Sequence, residues 1–325
     1  MNNMYYVIVN PGSGSGRGYY TWKKLEESLI VEGLKYQVVS TKKAGDAKRL
    51  TASLIEKHAS KDEPVKLIVI GGDGTMNEVI NGITDFDKVI LGYIPGGSAG
   101  DLALGLGLNI DTSILIERIT DGKVLRTTDI GQVIYNHVSS TYSRLHDEEL
   151  ETSRYFDVSA GIGFDAAVCE EALSSKLKKV LNAINLGKLT YLFIALHQIF
   201  TAEKNAMDIT TKEGESLHMD KTLFAAMMIE PFEGGGFMFG PDADCNDGIF
   251  DICVAGDMSI PTILRALPSA KKGKHFKYKG IHALKSSEIH ITTQKPMWVH
   301  TDGEVSIKSD DILIKNSGKK LKLMV

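Results

Sequence analysis

The stretch that decides the fold is Lys66-Leu67-Ile68-Val69-Ile70-Gly71-Gly72-Asp73-Gly74-Thr75. Its first half is a short apolar run rich in β-branched residues, which predicts a buried strand. Three glycines follow within four residues, and apolar side chains then recur at helical spacing from Met76 to Ile83. A buried strand that passes through a glycine-rich turn directly into a helix is typical of a parallel α/β sheet.

The turn between this strand and helix has the chemistry of a phosphate-binding site. Glycines let the backbone approach a ligand closely, and the free N–H groups at a helix start attract anions. Asp73 would place a carboxylate beside the phosphates, where it can hold Mg²⁺ directly or through water. Thr75 can cap the helix or bond a phosphate oxygen. The alternative is a plain turn with Asp as a turn residue, but such turns rarely need three glycines beside a carboxylate.

Similar strand–loop–helix units flank this stretch. A strand over residues 4–9 ends in Asn10-Pro11-Gly12-Ser13-Gly14, and one over residues 89–94 ends in Pro95-Gly96-Gly97-Ser98-Ala99-Gly100-Asp101. Because the C-terminal ends of parallel strands share one sheet edge, these loops are expected to lie together where ligands bind. For the later loop, Ser98 or Asp101 could instead be a helix N-cap with no further role.

From about residue 124 the pattern changes to short strands, which predicts a second, mainly β domain beginning near residue 129. One strand is predicted over residues 155–160. One long helix, over about residues 174–200, is the only convincing helix in this part. It is too polar to span a bilayer. The polar segment 143–151 is interpreted as a surface loop.

Composition excludes several classes of protein. The 325 residues include 37 basic and 41 acidic side chains, a net charge of −4, which disfavours a strongly basic nucleic-acid binder. Three cysteines cannot form a disulfide framework or a four-cysteine zinc site, and they fit a reducing, cytosolic compartment. The first residues have no basic region, so no signal peptide is expected. The P-loop pattern and a convincing dinucleotide fingerprint are both missing.

Two carboxylate clusters stand out in the second part. The segment 240–248, which contains Asp244 and Asp247, could bind a cation, although Asn-Asp-Gly is also a strong hairpin turn. Asp302-Gly303-Glu304 also has the sequence of a hairpin turn, and from the residues alone that is the favoured interpretation. A carboxylate facing the phosphate site would nevertheless suit an enzyme that phosphorylates a hydroxyl group, because it can position or deprotonate that group.

Taken together, these motifs resemble the diacylglycerol kinase catalytic-domain family of lipid kinases in its bacterial two-domain form, which is related to sphingosine and ceramide kinases. The resemblance covers nearly the whole chain. It rests on the following motifs: Asn10-Pro11-x-Ser13-Gly14; Thr41 ahead of Gly45-Asp46-Ala47; Gly71-Gly72-Asp73-Gly74-Thr75-x-Asn77-Glu78-x-x-Asn81-Gly82; Pro95-x-Gly97-Ser98; Gly161-x-Gly163-Phe164-Asp165; Gly234-Gly235-Gly236; Asp247-Gly248; and Asp302-Gly303-Glu304.

The resemblance implies a doubly wound parallel-sheet domain that holds nucleotide, over residues 1–128, joined by the C-terminal residues 318–325. A mainly β, sandwich-like domain over residues 129–317 would hold the lipid, with the active site in the cleft between the two. The cofactors implied are ATP and Mg²⁺. The residues implied to bind them are Asn10, Pro11, Ser13, Gly14, Thr41, Gly71, Gly72, Asp73, Gly74, Thr75, Glu78, Gly97 and Ser98.

The resemblance also implies roles in the second domain. Asp302 and Glu304 would supply the catalytic base and its support beside Asp73, with Glu304 favoured as the proton acceptor. Asp247, with the main-chain oxygens of Asp244 and Ile249, would bind a structural Mg²⁺. One loop departs from the family pattern Gly-Thr-x-Asn-Asp-Phe-Ala-Arg, because Gly100 replaces the asparagine and Leu104 the arginine.

The expected function is therefore an ATP- and Mg²⁺-dependent kinase acting on the hydroxyl of a diacylglycerol-like lipid. The alternatives are a kinase of a soluble polyol or NAD-like acceptor, and a nucleotide-binding regulator with weakened catalysis. The expected partner is a lipid at a membrane surface, not a nucleic acid, and a homodimer is allowed. The protein would be cytoplasmic and peripherally membrane-associated during turnover. Two basic stretches could contact anionic headgroups: residues 176–188, beside apolar residues 189–194, and residues 271–277.

Overall fold

The computed structural model describes residues 4–59, 63–96, 100–123, 126–141, 152–174, 187–201 and 204–325. In the first part, strands and helices alternate as the sequence predicts. The elements are β1 (Met4–Val9), α1 (Ser13–Val31), β2 (Lys35–Ser40), α2 (Asp46–His58), β3 (Val65–Gly71), α3 (Asp73–Gly82), β4 (Val89–Pro95), α4 (Asp101–Gly105) and α5 (Thr112–Thr120).

The first four strands form a parallel sheet in the order β2-β1-β3-β4. The side chains of β3 are buried on both faces, which explains why its sequence is a continuous apolar run. Helix α2 packs on α3, and α1 packs on α5. If each crossover is right-handed, this strand order places the α2–α3 pair on one face of the sheet and the α1–α5 pair on the other. The loops after β1, β3 and β4 consequently meet at one sheet edge.

The second part is mainly β. Its elements are β5 (Arg126–His137), β6 (Ser140–Thr141), β7 (Ser153–Phe156), β8 (Ser159–Gly163), α6 (Phe164–Ser174), α7 (Gly187–Thr201), β9 (Asn205–Thr211), β10 (Ser216–Met228), β11 (Phe250–Gly256), α8 (Ile260–Ala270), β12 (Ile281–Ser286), β13 (Glu288–Thr301) and β14 (Glu304–Met324). The strands enclose an apolar core that includes Phe156, Ile162, Met227 and Ile314.

Strand β14 connects the two parts. Its first half pairs antiparallel with β13, and its last residues, Lys322–Met324, pair in parallel with Ile90–Gly92 of β4. Hydrogen bonding is therefore continuous along the order β12-β11-β10-β8-β13-β14-β4-β3-β1-β2. The boundary expected near residue 129 falls within β5, and the exact domain limits stay a prediction.

The helices and one strand of the second part differ from the sequence-based expectation. Helices α6 and α8 were not expected, because only one helix was predicted in this part. In α8, Pro261 lies in the first turn, where proline is tolerated. The strand predicted over residues 155–160 is two strands, since the chain turns at Asp157–Val158. Of the helix predicted over residues 174–200, residues 187–200 belong to α7, while 175–186 lie outside the described residues, as does the predicted loop 143–151. Among the described helices, none combines the length and apolar character needed to cross a membrane.

Candidate active site

The loops after β1 and β3 are tied together by Asn10. Its main-chain N–H donates to the Ile70 carbonyl at 2.8 Å, and its side-chain amide donates to Thr75 Oγ1 at 3.0 Å. The hydroxyl of Ser13 donates to the Asn10 carbonyl at 2.8 Å. Gly14 has a φ of 57°, and the chain bends there before α1 continues. The predicted residues of these two loops, Pro11 and Gly71 to Gly74 among them, thus lie at one sheet edge.

Thr41 and Glu78 belong to the neighbouring part of the same edge. The N–H of Thr41 donates to the Val9 carbonyl at 2.9 Å, which places Thr41 beside the end of β1. The Glu78 carboxylate accepts hydrogen bonds from the N–H groups of Gly45 and Ala47, at 2.8 and 3.0 Å. Glu78 therefore orders the loop that follows Thr41. Gly97 and Ser98 lie outside the described residues.

Asp73 is the first residue of α3 and is buried beside a second carboxylate, that of Asp101. Its Oδ2 accepts a hydrogen bond from the Asp101 N–H at 3.1 Å. Its Oδ1 is buried and has no hydrogen-bond partner among the described residues. Burial, and then the negative charge of Asp101, raise the pKa of Asp73 to about 7. A buried carboxylate oxygen without a donor, beside a second carboxylate, fits a divalent cation.

Asp101 connects this site to the second part of the chain. Its carboxylate accepts hydrogen bonds from the N–H groups of Gly235, at 3.1 Å, and Gly236, at 3.0 Å. Gly234, Gly235 and Gly236 all have positive φ values, of 63°, 82° and 96°, a conformation that turns successive N–H groups toward one point. Burial still raises the pKa of Asp101. The Gly234-Gly235-Gly236 motif, which was singled out only through the family resemblance, thus binds the Asp101 carboxylate of the first part of the chain.

Asp302 lies in the turn between β13 and β14. Thr301 pairs with Glu304, and Asp302 and Gly303 have φ values of 51° and 78°, so the segment is a hairpin turn. The Asp302 carboxylate also points into the protein, where it accepts hydrogen bonds from Asn77 Nδ2 at 2.7 Å and from the main-chain N–H groups of Val158 at 2.9 Å and Ser159 at 3.1 Å. Both interpretations of this motif, hairpin turn and site residue, are therefore compatible.

Asp157, which sequence reasoning did not single out, lies beside Asp302. It is completely buried, and its N–H donates to Asp302 Oδ2 at 3.3 Å. Burial and then the charge of Asp302 raise the pKa of Asp157 well above its usual range. Burial also raises the pKa of Asp302, although its hydrogen bonds act in the opposite direction. In sequence, Asp157 resembles an ordinary residue within a strand, so no signal marked it.

Glu304 reaches the start of α3. A Cβ atom at Gly74 would lie only 2.4 Å from Glu304 Oε1, so the glycine next to Asp73 is in direct contact with this carboxylate. The structure thus brings together Asp73, Glu304 and the Asp302 turn, although more than two hundred residues separate them in the chain.

The loop proposed to hold a structural cation is a separate feature. Asp247 accepts a hydrogen bond from the Ile249 N–H at 2.9 Å, and the Asp247 N–H donates to the Asp244 carbonyl at 3.5 Å. Lys320 Nζ lies beside this loop, 2.9 Å from the Asn246 carbonyl. An open pocket of about 380 Å³ is lined by residues that include Asp247 and Lys320. The ammonium group of Lys320 also forms an ion pair with Asp129 at 2.7 Å, so this loop already has a cationic partner. The structural Mg²⁺ site expected at Asp244, Asp247 and Ile249 stays a prediction.

Comparisons with known proteins define the class. Residues 4–133 match the diacylglycerol kinase catalytic domain family, and residues 158–312 match the YegS C-terminal NAD kinase beta sandwich-like domain family. A Bacillus subtilis (strain 168) protein named "Putative lipid kinase YtlR" is 31% identical over 306 residues, 93% of each chain. The diacylglycerol kinase of the same organism is 26% identical over 303 residues, covering 92% of this chain and 88% of the relative.

Solved structures show the same fold. A diacylglycerol kinase from Bacillus anthracis superimposes with a TM-score of 0.68 at 24% identity, covering 99% of this chain and 96% of that one. An NAD kinase from Archaeoglobus fulgidus, solved with ATP, gives a TM-score of 0.50 at 12% identity, covering 99% and 93%. The fold and the matches define a two-domain kinase with an α/β domain and a β-sandwich-like domain. The chain belongs to the bacterial diacylglycerol kinase family of lipid kinases.

Proposed function

We propose that the protein is an ATP- and Mg²⁺-dependent kinase that phosphorylates the hydroxyl group of a diacylglycerol-like lipid. One observation carries this proposal: the Glu304 carboxylate contacts Gly74, the residue next to Asp73, in the first turn of α3. Oδ1 of Asp73 is buried there and has no partner among the described residues. One carboxylate is suited to a metal–nucleotide complex and the other to an acceptor hydroxyl. Relatives named diacylglycerol kinase support the choice of acceptor.

The N-terminal loops are suited to the nucleotide. The loops after β1 and β3, joined by the contact between Asn10 and Thr75, present main-chain N–H groups at two helix starts, where phosphate groups bind well. Asp73, supported by Asp101, would hold the metal. Mg²⁺ bound there with ATP would neutralise charge on the transferring phosphoryl group.

The hairpin turn is suited to the acceptor. Glu304 would accept the proton of the hydroxyl as the oxygen attacks phosphorus, which is the role of a general base. Asp302 is fully engaged with N–H donors, so it holds the turn rather than taking the proton. The closeness of Glu304 to the start of α3 would bring the hydroxyl next to the phosphoryl group.

A lipid acceptor requires contact with a membrane surface, and a basic stretch lies near the site. Lys271 Nζ lies 5.1 Å from the centre of the Phe237 ring. Phe237 directly follows the three glycines of the loop that binds Asp101. We infer a peripheral, reversible contact of a cytoplasmic protein with anionic headgroups through residues 271–277. Most side chains of the other basic stretch, residues 176–188, lie outside the described residues.

The acceptor class can be tested directly. The protein would be incubated with γ-labelled ATP and Mg²⁺ in the presence of diacylglycerol in mixed micelles, glycerol, or NAD. The proposal predicts label in the diacylglycerol product and little in the soluble acceptors. Label only in glycerol or NAD would support the kinase of a soluble acceptor, and label in none of them would favour the regulator.

A further inference from the structure

Three buried ionisable side chains, His300, Asp165 and Glu233, form a cluster behind the active site. Nε2 of His300 lies 3.2 Å from Asp165 Oδ2 and 3.3 Å from Glu233 Oε1, and the imidazole is completely buried. A Cβ atom at Gly161 would lie 2.0 Å from Asp165 Oδ2 and 2.4 Å from Nε2, so only glycine leaves room for the cluster. Groups this deeply buried are costly unless they are paired, so the arrangement needs a physical reason.

The second ring nitrogen of His300 bonds to the catalytic turn. The main-chain N–H of Gly303 donates to Nδ1 at 3.2 Å. Nδ1 must therefore keep its lone pair, and the ring proton must reside on Nε2, where it points at the two carboxylates. Gly303 lies between Asp302 and Glu304, so this single hydrogen bond fastens the turn that holds both residues.

A metal ion is the obvious alternative occupant of this cluster, because three ligand atoms lie within 4.8 Å of one another. A metal would need the lone pair of Nε2 and would move the ring proton to Nδ1. Histidines that bind metals usually donate that other N–H to an acceptor. Here the Gly303 N–H faces Nδ1, and two donors would oppose each other. The geometry therefore favours a proton between the three groups.

Two effects compete for the protons of this cluster. Burial lowers the pKa of His300, while the charges of Glu233 and Asp165 raise it well above its usual range and favour a second ring proton. That proton would lie on Nδ1, where it would oppose the Gly303 N–H that faces this nitrogen at 3.2 Å. Burial raises the pKa of Asp165, so a carboxyl oxygen can hold the second proton instead. We therefore assign the ring as neutral, with its proton on Nε2.

Each member of the cluster belongs to a segment that reaches the active site. Glu233 immediately precedes Gly234, Gly235 and Gly236, and its N–H donates to the Phe237 carbonyl at 2.9 Å to close that loop. The loop binds Asp101, which in turn contacts Asp73. Asp165 is fixed by the Ala166 N–H at 2.7 Å. Through the His300 ring, the loop that binds Asp101 and the turn that holds Glu304 become one hydrogen-bonded unit.

We propose that His300 is a positioning residue of the kinase reaction. Its Nδ1 fixes the Asp302–Gly303–Glu304 turn, and its Nε2–H is anchored by Asp165 and Glu233. The proposal rests on the proposed function, because it explains how Glu304 is held at the distance that phosphoryl transfer requires. A displacement of about 1 Å at such a site can reduce turnover on the order of 100-fold.

Two substitutions separate the ring's two contacts. In His300→Asn, the amide oxygen can replace Nδ1 as the acceptor for Gly303, but the side chain is too short to reach both acids. In His300→Gln, the amide nitrogen can replace Nε2, but no acceptor remains for Gly303. The proposal predicts that kcat of the Gln variant is at least about tenfold lower than kcat of the Asn variant. The KM for ATP should be unchanged in both variants. The melting temperature is expected to fall more in the Asn variant, which leaves two buried acids unanchored.

Equal losses of kcat in the two variants, or full activity of the Gln variant, would overturn the positioning role. A second readout does not depend on activity. Nitrogen chemical shifts of the His300 ring in full-length wild-type protein should show the Nε2–H tautomer throughout neutral pH. A protonated Nδ1, or a stoichiometric metal that disappears in the Gln variant, would overturn the proposal. Wild-type protein that phosphorylates no acceptor would refute the proposed function, and the ring spectrum would still decide the tautomer.

Discussion

The main-chain N–H of Asp101 donates to Oδ2 of Asp73 across 3.1 Å, while Oδ1 of the same carboxylate is buried without a partner among the described residues. The Asp101 side chain is itself directed away, into the N–H groups of Gly235 and Gly236. The charge of Asp101 nevertheless raises the pKa of Asp73, after burial, so the two acids lie close enough to repel each other. Such a pair is stabilised when a cation lies beside it, which is why the site is interpreted as a metal–nucleotide site.

The same relationship explains a departure from the family pattern. A Cβ atom at Gly100 would lie 2.2 Å from Asp73 Oδ1 and 2.4 Å from Oδ2. With Asp73 in this position, residue 100 cannot have a side chain. Gly100 thus permits the close approach of Asp101 to Asp73, and its presence is compatible with a functional site.

Glu304→Gln should lower turnover on the order of 100-fold or more, because the amide cannot accept the proton of the acceptor hydroxyl. The affinity for ATP should remain nearly unchanged, since Glu304 is not expected to contact the nucleotide. The measurements are kcat with a diacylglycerol acceptor and a binding titration with ATP, with the exposed Glu215→Gln as the matched control. Loss of ATP binding in a folded variant would place Glu304 in the nucleotide site instead.

Asp247→Ala should abolish the part of the thermal stability that depends on Mg²⁺, because a cation bound only to the native state stabilises it by linkage. Wild-type protein is expected to melt at a higher temperature when Mg²⁺ is added in the absence of nucleotide. Asp242→Ala, a change in the same loop, is the control and should respond like the wild type. The same melting response to Mg²⁺ in the Asp247 variant would rule out the structural cation.

Stability should depend on pH through Glu230, whose pKa burial raises from 4.5 to about 7. Between these two values the folded state binds more protons than the unfolded state, so the free energy of unfolding falls as pH rises. The contribution of Glu230 is at most about 3 kcal/mol over this range. Glu230→Gln should therefore be more stable than wild type at pH 7.5 and no more stable near pH 4.5. If the melting temperatures of the two proteins change with pH by the same amount, the raised pKa of Glu230 is contradicted.

Binding to anionic vesicles should be weak and sensitive to salt, and binding to neutral vesicles should be slight. Lys271, Lys272 and Lys274 are exposed, and each lysine near an anionic surface contributes about 1 kcal/mol. Replacing these three lysines by Gln should reduce co-sedimentation strongly. The matched control replaces Lys23, Lys24 and Lys57, which are also exposed, by Gln. Equal losses in both triple variants, or equal binding to both vesicle types, would refute docking through residues 271–277.

The parts of the fold that follow local patterns could be predicted from the sequence. Strand β3 is a continuous apolar run because it is buried on both faces, and α3 has its apolar residues at helical spacing. The glycine-rich loops after β1 and β3 were expected to share one sheet edge, and the contacts of Asn10 confirm it. Helix α8 was not predicted, although Ile263 and Ala266 recur at helical spacing and form a buried stripe.

The contacts that complete the candidate site could not be predicted, because they join residues far apart in the chain. Asn77 and Asp302 are separated by 225 positions, and only the fold brings the amide to the carboxylate. The cluster of His300, Asp165 and Glu233 has no spacing that marks a site in sequence. Asp157 appeared to continue a strand, whereas its N–H and those of the next two residues turn toward Asp302.

The central claim is that Asp73 organises phosphoryl transfer from ATP to a lipid hydroxyl. It is tested most directly by the initial rate at which γ-labelled ATP labels diacylglycerol, measured for wild type, Asp73→Asn, and the exposed control Asp121→Asn. We expect labelled lipid from the wild type and the control, and a rate lowered on the order of 100-fold or more in a folded Asp73 variant, because the metal loses its anionic ligand. Undiminished labelling by the Asp73 variant would contradict this claim.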